Sequence, residues 1–493
     1  MIKTRSEKLQ EAIRYEGDRA QEITKDARPS FHVTAPVGWM NDPNGFSEYQ
    51  GAYHLFYQYH PYDTHWGPMH WGHTKTSDFI KWEQLPCALA PDTPYDGQGC
   101  FSGSAVEDDG RHILLYTSVK VDEDANGERR ERQTQSIAIG DGVHYEKLEQ
   151  NPVITADMLP EGSSKVDFRD PKMWKENDTF YTVVGSRNED GSGQIALFSS
   201  KDVQNWKYEK ILAYCHNEYG KMWECPDFFP LDGKQILIVS PQSMEAEQLE
   251  FHSGNNSVYF VGDYDCENLE FSKDEAHQID FGMDFYAPQT MQTSDGRRIM
   301  IGWLNNWDNY LTPDDMEWSG MMTIPRELSI RDGRLIQNPV RELADYHAEK
   351  AAFEKVQLKT EDGFVSLDGV KGRSFDMTVE LEGGDYETFS ILLACDQKHY
   401  TELMYNQKKG TFTTDRTYSG MTKDLLSSRS MQVKVADRCR IRIIMDKYSI
   451  EVFVNDGEYA MTSLIYTGLD AEQIKFGCEG KATFSVEKYD IMV

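Results

Sequence analysis

Three short acidic motifs in this chain carry residue types that could do acid–base or nucleophilic chemistry. The first is Trp39-Met40-Asn41-Asp42-Pro43-Asn44-Gly45, which sets a carboxylate among amides, behind a tryptophan and ahead of Phe46. The second is Arg169-Asp170-Pro171, and the third is Glu224-Cys225-Pro226, directly after Trp223. Asn-Asp-Pro and Asn-Gly are also ordinary turn dipeptides, because Pro holds φ and Asn or Gly tolerates φ > 0. By itself, then, the heptapeptide reads as a turn. The recurrence of carboxylates and the flanking aromatics point further. Sugar sites are often walled by aromatic rings, and cleavage of a glycosidic bond needs one carboxyl as acid and a second as nucleophile or base.

In this order and spacing the three motifs resemble glycoside hydrolase family 32, the β-fructofuranosidases, over nearly the whole chain from about Phe31 to the C-terminus. The heptapeptide is the most specific of them. The resemblance implies that Asp42 is the nucleophile and Glu224 the acid/base. It implies that Asp170 binds fructose hydroxyls and stabilises the transition state. Arg169 would orient a carboxylate or bind a hydroxyl; a structural Arg–Asp pair ahead of a proline is the competing reading. For Glu224 the competing reading is a strand-edge glutamate. Further positions match the family's pocket: Asn41, Gln58 and Ser102 for hydroxyl recognition, Trp66 and Phe101 for a fructose-sized wall, and Cys225 beside the acid. Tyr286 and Trp303 are placed at the rim, where core packing is an equal alternative. Free backbone N–H groups in its turn would keep the pKa of Asp42 low. The apolar neighbours of Glu224, Trp223 and Cys225, would raise its pKa.

The expected activity is therefore that of a retaining, exo-acting hydrolase releasing fructose from sucrose or sucrose 6-phosphate. Exo-fructanase action on inulin or levan and fructosyl transfer share the same intermediate and stay open. A sugar-binding propeller without catalysis is the reading from another class, and the presence of all three carboxylates argues against it. No cofactor is expected. His65, His70 and His73 cluster near Trp66 and Trp71 without a fourth ligand, so they are read as core or surface histidines and no metal is expected. There is no phosphate-cradling Gly loop and no dinucleotide fingerprint.

The elements that must position these residues follow from periodicity. Residues 6–26 have helical spacing, with Leu9, Ile13, Ala20 and Ile23 near one face, so 1–30 is a helical extension. From residue 31 to 338 the chain breaks into short aromatic-rich strands and no helical period survives. A repeat runs through this stretch. Asp78 in Ser77-Asp78-Phe79-Ile80-Lys81-Trp82 returns as Asp202 in Lys201-Asp202-Val203-Gln204-Asn205-Trp206, with looser copies at Asp141 and Asp265. The candidate residues keep a similar step, from Asp42 through Ser104, Asp170 and Glu224 to Tyr286. A period of roughly sixty residues with about four strands per unit predicts propeller blades, five of them. Each motif then sits near the start of an innermost strand, so residues remote in sequence converge on one channel. The resemblance implies the same fold. Residues 339–355 read as a linker helix. Residues 356–493 alternate in and out and read as a β-sandwich, with Asn455-Asp456-Gly457 as a hairpin turn. The fold class is thus all-β: a five-bladed β-propeller followed by a C-terminal β-sandwich.

With 493 residues, 39% apolar and 12% aromatic, the chain can fill two sizeable cores. A formal net charge of −31 excludes nucleic acid and anionic membrane surfaces as partners, and it opposes an anionic substrate at long range. The eight cysteines include no Cys-x-x-Cys pair. Together with a charged N-terminus and no apolar run of membrane length, this predicts a cytoplasmic protein with reduced thiols. Whether it forms a homo-oligomer is left open.

Overall fold

The computed structural model describes residues 6–123, 126–309, 312–421, 426–434 and 438–493. The first five residues of the expected N-terminal extension therefore lie outside the described residues. The helix spans Glu7–Ala20, and Ser6 caps it by accepting from the Leu9 amide at 3.2 Å. It buries Leu9 and Ala12 and sends Glu16 to accept the Cys87 amide, 2.7 Å, on the outer strand of the first blade.

Five antiparallel sheets surround a channel, each contributed by consecutive chain. Their innermost strands are Gly38–Tyr49, Gly99–Asp108, Phe168–Glu176, Trp223–Leu231 and Tyr286–Gln292. The first blade gains a fifth, parallel strand, Trp318–Ser319, beside Gly38 and Trp39. Closure by a strand from the other end of the ring ties blade one to the segment that completes blade five.

The repeated aspartates explain the period in physical terms. Each caps the turn between the third and fourth strands of a blade with one carboxylate oxygen. Asp78 accepts from the amides of Ile80 and Lys81 at 3.0 and 2.8 Å, and Asp202 from Gln204 and Asn205 at the same distances. Asp141 accepts from Val143 and His144, and Asp265 from Glu267 and Asn268. These are Asx turns, which mimic a backbone turn with a side chain. In two of them a bulky residue takes the left-handed region, Phe79 at φ 63° and Val203 at φ 60°. The indoles of Trp82 and Trp206 donate back to the carbonyls of those residues at 3.1 and 2.8 Å and hold the turn.

The C-terminal strands form one continuous hydrogen-bonded sheet that folds over a shared apolar core, including Phe375, Phe389, Ile443, Val452 and Phe484. Its axis is the long last strand, Gln473–Ile491. The first half of that strand pairs with Asp385–Cys395, and the second half with Phe375–Glu382 and His347–Lys359. This corrects the expected linker helix over 339–355. Only a 3₁₀ turn, Arg341–Tyr346, is helical, and His347–Lys359 is a strand. Val340, Leu343 and Ala344 have helical spacing, but the free edge of the last strand captures the backbone that follows.

Buried ion pairs bolt the two parts together. Arg326, on the fifth blade, donates to Asp280 at 3.0 Å and to Glu451 of the sandwich at 2.6 Å. Arg416 of the sandwich reaches Asp284 at 2.6 Å. His32 lies between Asp446, 3.0 Å, and Glu451, 2.9 Å. Among the described residues no helix is long and apolar enough to cross a membrane.

Candidate active site

The inner strands share an irregularity where the motifs lie. In blades one, three, four and five, two inner-strand residues oppose one residue of the second strand: Asn41 and Asp42 opposite Gln58, Asp170 and Pro171 opposite Val184, Cys225 and Pro226 opposite Val239, Ala287 and Pro288 opposite Gly302. Blade two has the same slip at Ser102. A bulge leaves a residue out of the ladder and re-aims side chains. Proline, which has no N–H to give, is tolerated there: Pro171, Pro226 and Pro288 lie within the bulge, and Pro43 directly follows it. Asp170, Cys225 and Ala287 take positive φ at 66°, 46° and 48°. The bulges thus turn successive motif side chains toward one mouth of the channel.

There they line a cavity of about 370 Å³, bounded by Asn41, Asp42, Gln58, Trp66, Phe101, Ser102, Glu131, Gln133, Asp167, Arg169, Asp170, Glu224, Gln242 and Trp307. Asp42 accepts from Ser102 Oγ at 2.7 Å on Oδ2 and from Asn41 Nδ2 at 3.0 Å on Oδ1. Asn41 is itself held by the Trp39 indole N–H at 2.7 Å. The Cys225 thiol lies between two carboxylates, 3.5 Å from Asp42 Oδ2 and 3.7 Å from Asp170 Oδ2, and the Cys225 amide donates to Asp170 Oδ2 at 3.0 Å. Arg169 grips Glu224 Oε1 through Nε, 3.0 Å, and Nη2, 2.8 Å. Its Nη1 reaches Gln133 and Asp167, both at 3.2 Å. The Tyr286 hydroxyl lies 2.7 Å from Glu224 Oε2 and 3.0 Å from the Ser240 carbonyl.

Burial dominates the electrostatics. It raises the Asp42 carboxyl above its ordinary value; Ser102 and Asn41 pull it back and Glu224 adds to the rise. The expectation of a low value fails because Asp42 lies in a bulged strand, buried among other carboxylates, and not in an open turn. Asp170 is pushed up to about 7 by burial, against the Arg169 guanidinium, with Glu224 and Asp42 pushing the same way as burial. Arg169 is opposed by burial, yet Glu224, Asp170 and Asp167 hold it above its usual value. Burial first, and then the nearby carboxylates, keep the Cys225 thiol and the Tyr286 hydroxyl protonated, so both stay donors. The apolar setting expected for Glu224 is also overturned. Its oxygens meet a guanidinium and a phenol brought in from blades three and five.

Of the anticipated residues, Asn41, Asp42, Gln58, Trp66, Phe101, Ser102, Arg169, Asp170 and Glu224 line the cavity. Trp66 is half exposed at the rim, edge-on to Phe101 at 5.8 Å. Cys225 and Tyr286 do not line it but touch the carboxylates from behind. Trp303 is fully buried and packs under Trp39 and Trp307 at 5.7 and 4.9 Å, so it is core and not rim. Trp307 takes the place expected of it. Glu131, Gln133, Asp167, Gln242 and Trp307 went unread. Asp167 stands three residues before Asp170, which was a usable signal. Glu131 and Gln133 lie on the third strand of blade two, and Gln242 and Trp307 in loops, where no local pattern marks them.

Three carboxylates converging at one mouth of a propeller, each held by hydrogen-bond donors, are what a glycoside hydrolase site requires. The model of the glycosyl hydrolases family 32 N-terminal domain matches residues 32–339, and that of the family 32 C-terminal domain matches residues 342–492. The chain belongs to glycosyl hydrolase family 32. It is similar to a sucrose-6-phosphate hydrolase of Escherichia coli, 37% identical over 439 residues and covering 89% of each chain. Among solved structures it is similar to a Bombyx mori β-fructofuranosidase, at 33% identity and a TM-score of 0.84 over 98% of both chains. A sucrose-6-phosphate hydrolase of Lactobacillus gasseri, 25% identical, superposes with a TM-score of 0.84 over 99% of this chain and 97% of that one.

Proposed function

We propose that this protein is a retaining β-fructofuranosidase that releases the terminal β-D-fructofuranosyl unit of sucrose or sucrose 6-phosphate, with Asp42 as nucleophile and Glu224 as acid/base. The observation that carries the reading is the shared cavity of Asp42, Asp170 and Glu224, with Arg169 and Tyr286 fixing the two oxygens of Glu224. In the first step Asp42 Oδ attacks the anomeric carbon while Glu224 gives its proton to the glycosidic oxygen. The carbon–oxygen bond breaks and glucose or its phosphate leaves. In the second step Glu224 takes a proton from water, the water oxygen bonds to the same carbon, and Asp42 is released with fructose. Arg169 occupies Oε1 of Glu224, which leaves Oε2 to carry the proton. When it does, the Tyr286 hydroxyl turns to the Ser240 carbonyl; when Glu224 is ionised, it turns back to Oε2. Asp170 meets the fructose hydroxyls, and Trp66 and Phe101 wall the ring.

The lining carries five carboxylates, Asp42, Glu131, Asp167, Asp170 and Glu224, against the single guanidinium of Arg169. That balance favours the uncharged sugar, an invertase-type activity. The relatives named as acting on sucrose 6-phosphate keep the phosphorylated sugar as the second reading. All eight cysteines are free thiols, in keeping with a cytoplasmic location. The test is turnover of sucrose by Asp42→Asn and Glu224→Gln, each expected to fall by several orders of magnitude in a folded protein. Near-normal turnover in either variant removes that residue from its role. A comparison of kcat/KM for sucrose, sucrose 6-phosphate and a short inulin decides among the substrates.

A further inference from the structure

A second cavity, about 350 Å³, opens where the fourth blade meets the sandwich, and it shares no lining residue with the catalytic one. One wall is the loop that follows the second strand of blade four, with Leu249, Phe251, His252 and Ser253. The other is the edge strand Ser428–Gln432, with Ser428, Arg429 and Ser430.

Arg429 is the unusual residue there. Its Nε is buried with no hydrogen-bond partner, and among the described residues no carboxylate lies within ion-pair distance of its guanidinium. That Nε gives up its hydration without a replacing hydrogen bond, which is unfavourable. Burial lowers the Arg429 pKa to about 10, and Asp308 and Asp284 act on it only at a distance. Both are already engaged. Asp284 holds Arg416 at 2.6 Å and Asn309 at 2.6 Å, and Asp308 holds the side-chain amide of Asn255 at 2.6 Å. The other ionisable groups on the cavity are Glu250 and His252. Glu250 is turned to the Gln278 amide, 3.2 Å, and to His277 behind it, 3.6 Å. His252 sits with Nδ1 3.1 Å from the Ser253 carbonyl. A protein of net charge −31 thus keeps a part-buried arginine with no ion-pair partner among the described residues in a cleft lined by hydroxyls.

We propose that this cleft is a binding site for a phosphorylated hexose, with the phosphate on Arg429 and the sugar hydroxyls along the serines. A planar guanidinium matches phosphate oxygens with two parallel N–H donors. Ser428, Ser253 and Gln248 line the same cleft and add donors for phosphate oxygens and sugar hydroxyls. The volume is in the range of small-molecule sites, and its lining is rich in hydroxyl and amide groups that suit a polar ligand.

The test is calorimetric titration of the intact protein with glucose 6-phosphate, inorganic phosphate and glucose. The expected result is saturable binding of glucose 6-phosphate, weaker binding of inorganic phosphate and none of glucose. Arg429→Met, which keeps the apolar stem, should weaken glucose 6-phosphate binding about tenfold to a hundredfold. Ser428→Glu, which supplies the missing counter-charge, should do the same without removing the arginine. Sucrose hydrolysis in the absence of phosphate should be unchanged in both, which shows that they are folded. Binding that is unchanged in both variants belongs to the catalytic cavity and overturns the proposal, as does no binding to the parent protein. Equal affinity for inorganic phosphate and glucose 6-phosphate would overturn the part of it that concerns the sugar.

Discussion

His32 makes a stability prediction that the structure allows to be worked through. Its ring is fully buried between Asp446 of the sandwich, 3.0 Å away, and Glu451, 2.9 Å away. Burial opposes a charge on the ring, and the two carboxylates more than offset it, so its pKa rises from 6.5 to about 9. Asp446 is correspondingly held down at about 2. A raised histidine binds its proton more tightly in the folded state. Its contribution is therefore complete below pH 6.5, falls as the pH rises, and is gone above about 9. The gap between 6.5 and about 9 corresponds to about 3 kcal/mol. His32→Gln keeps a hydrogen-bond donor and removes the charge. In urea titrations from pH 6 to 9.5 the parent protein should lose about 3 kcal/mol of stability more than the variant does. The variant should be the less stable of the two at pH 6, and the gap should close toward pH 9.5. Comparing the two proteins cancels other groups that titrate in this window, such as Glu16, raised to about 7 by burial. Sucrose turnover at pH 7 should not change, since His32 is remote from the catalytic cavity. An identical pH dependence in both proteins would refute the assignment of a buried, charged histidine.

Three further outcomes concern the catalytic cavity. Tyr286→Phe removes a donor to Glu224 Oε2 and should lower kcat/KM roughly tenfold or more while leaving thermal stability nearly intact. Because burial raises Asp42 and the residue must be ionised to attack, kcat/KM should fall on the acid side with a midpoint above the ordinary 3.8; a pH–rate profile with that limb at or below 3.8 would contradict this. The acidic lining should repel a phosphate at distances that salt screens, about 8 Å at physiological ionic strength. The KM for sucrose 6-phosphate should therefore fall with added salt while that for sucrose stays flat. A rise would reveal a cationic cluster at the rim.

What could be read from the chain alone was whatever local chemistry or short periods encode. The blades were legible because the same aspartate-capped turn recurs at Asp78, Asp141, Asp202 and Asp265, and an Asx turn needs only neighbours in sequence. The three acidic motifs were legible as candidates for the same reason: a bulge, a proline and a carboxylate lie within three or four residues of each other. The tertiary structure decided what surrounds them. Cys225 lies between Asp42 and Asp170, and Arg169 and Tyr286 reach Glu224, only because strands from different blades share one channel. Hence the acidity of Asp42 and the polar setting of Glu224 ran against the local reading. The strand His347–Lys359 was misread as helix because helical spacing gave way to the open edge of the last strand. Trp303 and Trp307 are four residues apart and similar in setting along the chain. Both pack against Trp39, and only the tertiary packing around that ring sets Trp303 in the buried core and Trp307 on the cavity wall.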